Sequence, residues 1–160
     1  MRDKDAINRV SISSYIKESM TFETITLQIT LEAPLAKAWA YWTEPEFIMQ
    51  WNFADPSWHC PAATNDLQPG GSFNYQMAAR DGSFSFNFEG IYDAVEPRSL
   101  IAYHLADGRT VRITFETLPN DHTQITQTFD AETENPVDMQ RAGWQAIMYN
   151  YKRLAEERGR

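Results

Sequence analysis

The sequence predicts an α+β domain in which a curved antiparallel sheet wraps around one long C-terminal helix. Three observations predict it. Runs of alternating apolar and polar residues follow one another, joined by Pro, Gly, Asn and Asp turn signals with no helix between them, as in an antiparallel meander. Two short helical stretches sit directly after the first of these runs. Finally, residues 136–158 contain no breaker except Gly143 and carry an apolar stripe at helical spacing. The chain has 160 residues, 42% apolar and 22% charged, which suits a single globular domain.

The elements follow in chain order. Residues 1–19 are polar, with loosely spaced Ile7, Val10, Ile12, Tyr15 and Ile16, and are expected to be a flexible or non-native N-terminal extension. The patterned domain is expected to span 20–160. From Glu23 to Glu32, the residues Ile25, Leu27, Ile29 and Leu31 alternate with Thr24, Thr26, Gln28 and Thr30, the period of a half-buried strand. Pro34 suits the first turn of a helix bearing Leu35, Ala38, Trp39 and Trp42. Pro45 opens a second short helix, to Trp51, with Phe47 and Ile48 on it. Residues 52–61 read as a loop with two prolines.

Strands are expected over 63–68, 72–79, 83–95, 99–105, 109–118 and 123–132. Pro69-Gly70-Gly71, Asp81-Gly82, Pro97, Asp107-Gly108 and Pro119-Asn120-Asp121 separate them. On the last helix Val137, Trp144, Ile147, Met148, Tyr151 and Leu154 form the stripe, and Lys152, Arg153, Arg158 and Arg160 lie towards the negative end of its dipole. Only this helix is long enough to cover the sheet. A curved sheet closing on a single helix leaves a gap that side chains need not fill.

Composition narrows the function. A net charge of −8 opposes phosphate backbones and anionic lipid, so neither nucleic acid nor membrane is an expected partner. Cys60 is the single cysteine; it allows no internal disulfide and fits a reducing compartment, so a cytoplasmic location is expected. His59 and Cys60 are adjacent and point to opposite sides of an extended chain, which is poor spacing for a metal, and His104 and His122 stand apart. No G-x-S-x-G elbow is present, and Pro69-Gly70-Gly71 lacks the Lys-Ser/Thr of a phosphate loop. No metal, cofactor or catalytic residue is therefore expected. What stands out is 9 Phe, 7 Tyr and 5 Trp, 13% of the chain, enough for a packed core or a large apolar pocket.

Four segments carry a resemblance: EAPLAKAWAYWTEPEFIMQW at 32–51, PGGSFNY at 69–75, FEGIYDAVEPRSLIAY at 88–103 and GWQAIMYNYKRL at 143–154. In this order and spacing, residues 23–158 resemble the START-like (SRPBCC) superfamily, nearest its AHSA-like branch, named after activators of a heat-shock chaperone's ATPase. The resemblance implies a helix-grip fold with a deep cavity between sheet and long helix, used across the superfamily for lipids, hormones and polyketide-like molecules. It implies no particular reaction. The chaperone activators proper bear a further N-terminal domain, which this chain is expected not to contain.

The candidate site residues are aromatic and apolar. Phe73 and Tyr75 share one face of a strand, and Phe84, Phe86 and Phe88 share one face of the next. Packed on Trp144, Ile147, Met148 and Tyr151, these rings read as plain core or as the lining of a ligand cavity, and both are expected to hold, with the inner ends core and the loop-side ends lining a pocket. Trp51, Phe53 and Trp58 are expected to gate its entrance. Should the phenylalanines face outward, Asn74, Asn87 and Glu89 would line the space instead; the sequence leaves that choice open. Three functions follow. The first is binding of a small apolar or aromatic ligand, by a monomer or homodimer. The second is a cyclase-like or hydrolytic enzyme using a polar pocket residue. The third is a chaperone- or stress-linked interaction module.

Overall fold

A computed structural model describes residues 22–159, so the expected extension at 1–19 lies outside the described residues. Strand β1 (Thr24–Leu31) leads into helices α1 (Leu35–Thr43) and α2 (Pro45–Trp51). Then come β2 (Trp58–Asn65), β3 (Ser72–Ala79), β4 (Ser85–Glu96), β5 (Leu100–His104), β6 (Thr110–Leu118) and β7 (His122–Asp130). Helix α3 (Val137–Gly159) is last. The strands form one antiparallel sheet in the order β1-β7-β6-β5-β4-β3-β2, a meander whose first strand returns to the side of its last. This is the expected α+β helix-grip arrangement.

One expectation about the loop is corrected. Residues 58–61 belong to β2 rather than to the loop. β2 is a free edge of the sheet, and a register shift between His59 and Ala62 accommodates Pro61. A proline lacks the N–H that an interior strand must donate, but an edge bulge tolerates it.

The period of two in β1 becomes a strict alternation of exposed and buried residues, with Ile25, Leu27, Ile29 and Leu31 all inward. Opposite them, β7 turns Thr123, Ile125, Gln127 and Phe129 inward. Helix α3 is fastened beside this pair. Lys152 Nζ donates to the Thr30 carbonyl at 2.6 Å, and the Glu32 N–H donates to the Glu156 carboxylate at 2.9 Å. Tyr151, completely buried, donates its hydroxyl to the Ala38 carbonyl at 2.6 Å. Asn150 Nδ2 donates to the Phe53 carbonyl at 2.6 Å. The helix therefore runs along β1 and against α1 and α2, while β3 to β5 lie at the far side of the curved sheet.

Two glycines serve opposite roles. A Cβ at Gly90 would sit 2.7 Å from the His104 carbonyl oxygen and 2.9 Å from the Phe73 ring. A Cβ at Gly143 of α3 would meet nothing within 4 Å. Gly90→Ala should therefore lower stability by about 1–3 kcal/mol through overpacking. Gly143→Ala should raise it by about 0.5–1 kcal/mol through helix propensity and a less flexible unfolded chain. Urea unfolding of the two variants beside the parent checks both signs.

Candidate functional site

Because α3 is tied to one side, the sheet arches over a space the helix does not fill. The result is a cavity of about 630 Å³. Its helical wall is Trp144, Ile147 and Met148. Across from it stand Tyr75 and Met77 of β3, Phe88 and Tyr92 of β4, and Ile101 and Tyr103 of β5. Trp42, Thr43, Trp51, Asn52 and Asn65 close one end, and Gln127 of β7 lies in the wall. The exposed members of the lining, Phe86, Glu134 and Asn135, mark where the space opens.

The orientation that the sequence left open is resolved by exposure. Along one face of β4 and the turn before it, exposure falls from 60% at Phe84 through 45% at Phe86 to half-buried at Phe88. The phenylalanine face thus passes from outside, over the mouth, into the interior. Asn74 and Glu89 lie on the other face and hydrogen-bond each other at 3.3 Å, and Asn87 is exposed.

Of the residues expected to line the space, Trp51, Tyr75, Phe86, Phe88, Trp144, Ile147 and Met148 stand in its wall. Five do not. Phe73 is 2% exposed, its ring laid over Gly90 and packed on Tyr75, Tyr92 and Tyr103 with centroids 4.6–5.3 Å away. Tyr151 is sealed behind Trp42 and Trp51, whose rings lie 4.7 and 5.3 Å from it. Phe53 is half-buried, and its carbonyl is taken by Asn150. Phe84 and Trp58 form a cluster with Phe86 outside the mouth, their centroids 6.0–6.2 Å apart, because this hairpin end projects beyond the neighbouring strand β5. Of the three expected gate residues, Trp51 is instead interior and 5% exposed, donating from Nε1 to the Tyr41 carbonyl at 2.9 Å.

Several lining residues were not singled out from the sequence: Trp42, Tyr92, Ile101, Tyr103 and Gln127. Tyr92 donates to Asn65 Oδ1 at 2.5 Å, and Asn65 Nδ2 in turn donates to the Thr43 carbonyl at 2.7 Å. Tyr75 reaches the Tyr92 hydroxyl at 3.5 Å, and with the Tyr92 proton committed to Asn65 it is Tyr75 that donates. Gln127 and Tyr103 differ from these. They are 6% and 8% exposed, yet neither the amide nor the hydroxyl has a hydrogen-bond partner among the described residues. The signal for Gln127 was a polar residue in phase with Ile125 and Phe129.

The electrostatics favour neutral groups. Burial pushes the phenol of Tyr92 up to about 12, and raises Tyr75 and Tyr103 well above their ordinary value. These hydroxyls serve as hydrogen-bond donors and acceptors at neutral pH. The charged members of the lining are Arg109, Glu132 and Glu134. Arg109 Nε donates to Asp107 at 2.7 Å, and Glu132 accepts from the backbone N–H groups of Glu134 and Asn135, which hold its carboxyl below the usual range. Gln140 clamps the same loop, accepting from the Glu132 N–H and donating to the Glu132 and Asn135 carbonyls. Among the described residues, no three His, Cys, Asp or Glu side chains converge as a metal site, and no helix is long and apolar enough to cross a membrane.

Raised phenol values have a consequence at high pH. The native state holds the Tyr92 proton to about 12, whereas an unfolded tyrosine releases it near 10. This contribution is complete below about pH 10 and is lost as pH rises towards 12, on the order of 2 kcal/mol. Urea midpoints at pH 9 and 11 should fall accordingly, with a shallower fall in Tyr92→Phe.

A family profile described as "Activator of Hsp90 ATPase homolog 1-like protein" matches residues 32–156. Among solved structures, an AHSA1-like protein from Aeromonas hydrophila is 37% identical, with a TM-score of 0.80, over 86% of this chain and 94% of its own. The protein Chr148 from Cytophaga hutchinsonii is 49% identical, with a TM-score of 0.73, over 84% of this chain and 93% of its own. The protein NE0264 from Nitrosomonas europaea shares the fold at 20% identity and a TM-score of 0.72, over 84% of this chain and 95% of its own. Comparison with curated proteins finds no match.

Proposed function

The chain belongs to the Activator of Hsp90 ATPase homolog 1-like family, and from that premise we propose that it binds a small apolar or aromatic ligand between its sheet and its C-terminal helix. The observation that carries this reading is the cavity of about 630 Å³. Protein interiors pack with few voids larger than a water molecule, and ligand pockets usually measure about 300–1,000 Å³. Rings dominate the wall, from Trp42 and Trp51 at one end to Phe88 and Trp144 in the middle.

Binding without chemistry is the better supported form of the reading. Cyclising or hydrolysing a ligand calls for a group that exchanges protons near neutral pH. The deep lining offers amides and phenols whose protons are held more tightly than usual. Association with a chaperone rests on the family's description alone.

The test pairs a ligand search with a filled cavity. Native mass spectrometry of freshly purified protein should reveal a copurifying small molecule, or a lipid and aromatic library should raise the melting temperature. A ligand at one hundred times its Kd adds about 2.7 kcal/mol, which is roughly 5–10 °C in a chain of this size. Ile147→Trp should abolish the response while keeping the native circular dichroism. No copurified molecule and no library hit would refute the reading.

A further inference from the structure

Gln127 sits where an apolar residue belongs. Its cross-strand neighbours are Leu27 on β1 and Ile113 on β6, and Ile113 in turn pairs with Ile101 on β5. The inward residues on either side of it along β7 are Ile125 and Phe129. An amide in such a row has no protein group within its own layer to bond, and it is 6% exposed. Tyr103, 8% exposed, lines the same cavity, and among the described residues its hydroxyl has no hydrogen-bond partner. Among the described residues, no side-chain nitrogen or oxygen sealed from solvent lacks a hydrogen-bond partner. The Gln127 amide and the Tyr103 hydroxyl are therefore not sealed in the core; they open into the cavity.

We propose that Gln127 is the specificity-determining residue of this cavity, selecting a flat, uncharged ligand whose polar edge carries a donor and an acceptor side by side, as in a lactam or carboxamide. The proposal rests on the ligand-binding reading above and names the ligand class. A glutamine amide presents one carbonyl acceptor and one NH₂ donor group in a single plane. A lactam N–H can donate to Oε1 while its carbonyl accepts from Nε2. A neutral ligand is indicated because the row around Gln127, with Leu27, Ile113 and Ile101, holds no charged side chain. Arg109, the cation in the lining, acts on the Tyr103 phenol and is already engaged by Asp107. Sites built to hydrogen-bond a ligand discriminate strongly against analogues lacking the matching group, since the buried partner is then left unpaired.

The experiment compares 2-quinolone with 1-methyl-2-quinolone, which lacks the lactam N–H, on the parent protein and on Gln127→Met. Calorimetric titration should give at least a tenfold preference of the parent for 2-quinolone. The variant should lose that preference through weaker binding of 2-quinolone; a steric effect of the methyl group would persist in both proteins. Without any ligand, Gln127→Met should melt within roughly 2–4 °C of the parent, because the amide opens into the cavity and anchors no neighbour. Equal binding of the two probes by the parent overturns this inference and leaves the cavity reading standing. Binding of neither probe overturns the inference and weighs against the cavity reading as well. A melting temperature of Gln127→Met lower by more than this would mean that the amide supports the fold, and would also overturn the inference.

Discussion

The buried hydroxyl of Tyr151 donates to the Ala38 carbonyl at 2.6 Å, and this bond ties the middle of α3 to α1. Trp42 and Trp51 close over it, so the bond lies in a medium that strengthens hydrogen bonds and makes an unpaired phenol costly. Lys152 and Glu156 extend the same attachment along β1. A helix centred beneath the sheet would press its apolar stripe directly onto β5 and β6. Tied off-centre, it touches the middle of the sheet only through long side chains. Trp144 makes the reach, stacking on Phe129 at 3.9 Å and 11° and meeting the edge of Phe88 at 5.9 Å.

Rings are suited to keeping such a gap open. An aromatic side chain covers a large area with only two rotatable bonds, so it props a wall with little freedom to collapse inward. The aromatic residues accordingly divide by position rather than by type. Phe73, Phe129 and Tyr151 are fully enclosed, Tyr75, Phe88 and Trp144 face the space, and Phe84 and Trp58 stand outside it. Tyr75 and Phe73 even share one strand face. Gly90, by lacking a side chain, lets the Phe73 ring lie down on the sheet, while Tyr75 stands in the wall.

This division explains how much was legible in the sequence. Element order and strand count followed from alternation and turn residues, because these are local properties of the chain. The edge strand β2 was half hidden, since a proline within a strand reads as a loop until the strand is known to lie at an edge. For the site, period two told which residues share a face, as with Phe84, Phe86 and Phe88, but not how far along that face the helix provides cover. Depth belongs to tertiary structure, so Phe84 was expected inside and lies on the rim. Trp42 and Tyr103 went unassigned for the same reason: each sits on an ordinary apolar face until α3 is in place.

The polar groups of the cavity fall into two kinds, and the difference separates structure from function. Asn65, Tyr92 and Tyr75 satisfy one another and the Thr43 carbonyl, which fixes β2, β3 and β4 to the end of α1. Such a network holds walls in place and has little left to offer a ligand. Among the described residues, the Gln127 amide and the Tyr103 hydroxyl have no hydrogen-bond partner, although the Tyr103 ring packs in the core. The chain carries a net charge of −8, yet its acidic groups in the lining are held at the mouth, and the deep wall is neutral. A negative rim disfavours anions, and the deep wall offers no counter-charge to any ion that passes it. On the proposed reading the architecture discriminates twice, by charge at the entrance and by hydrogen-bond pattern at Gln127, with the aromatic walls supplying the affinity between.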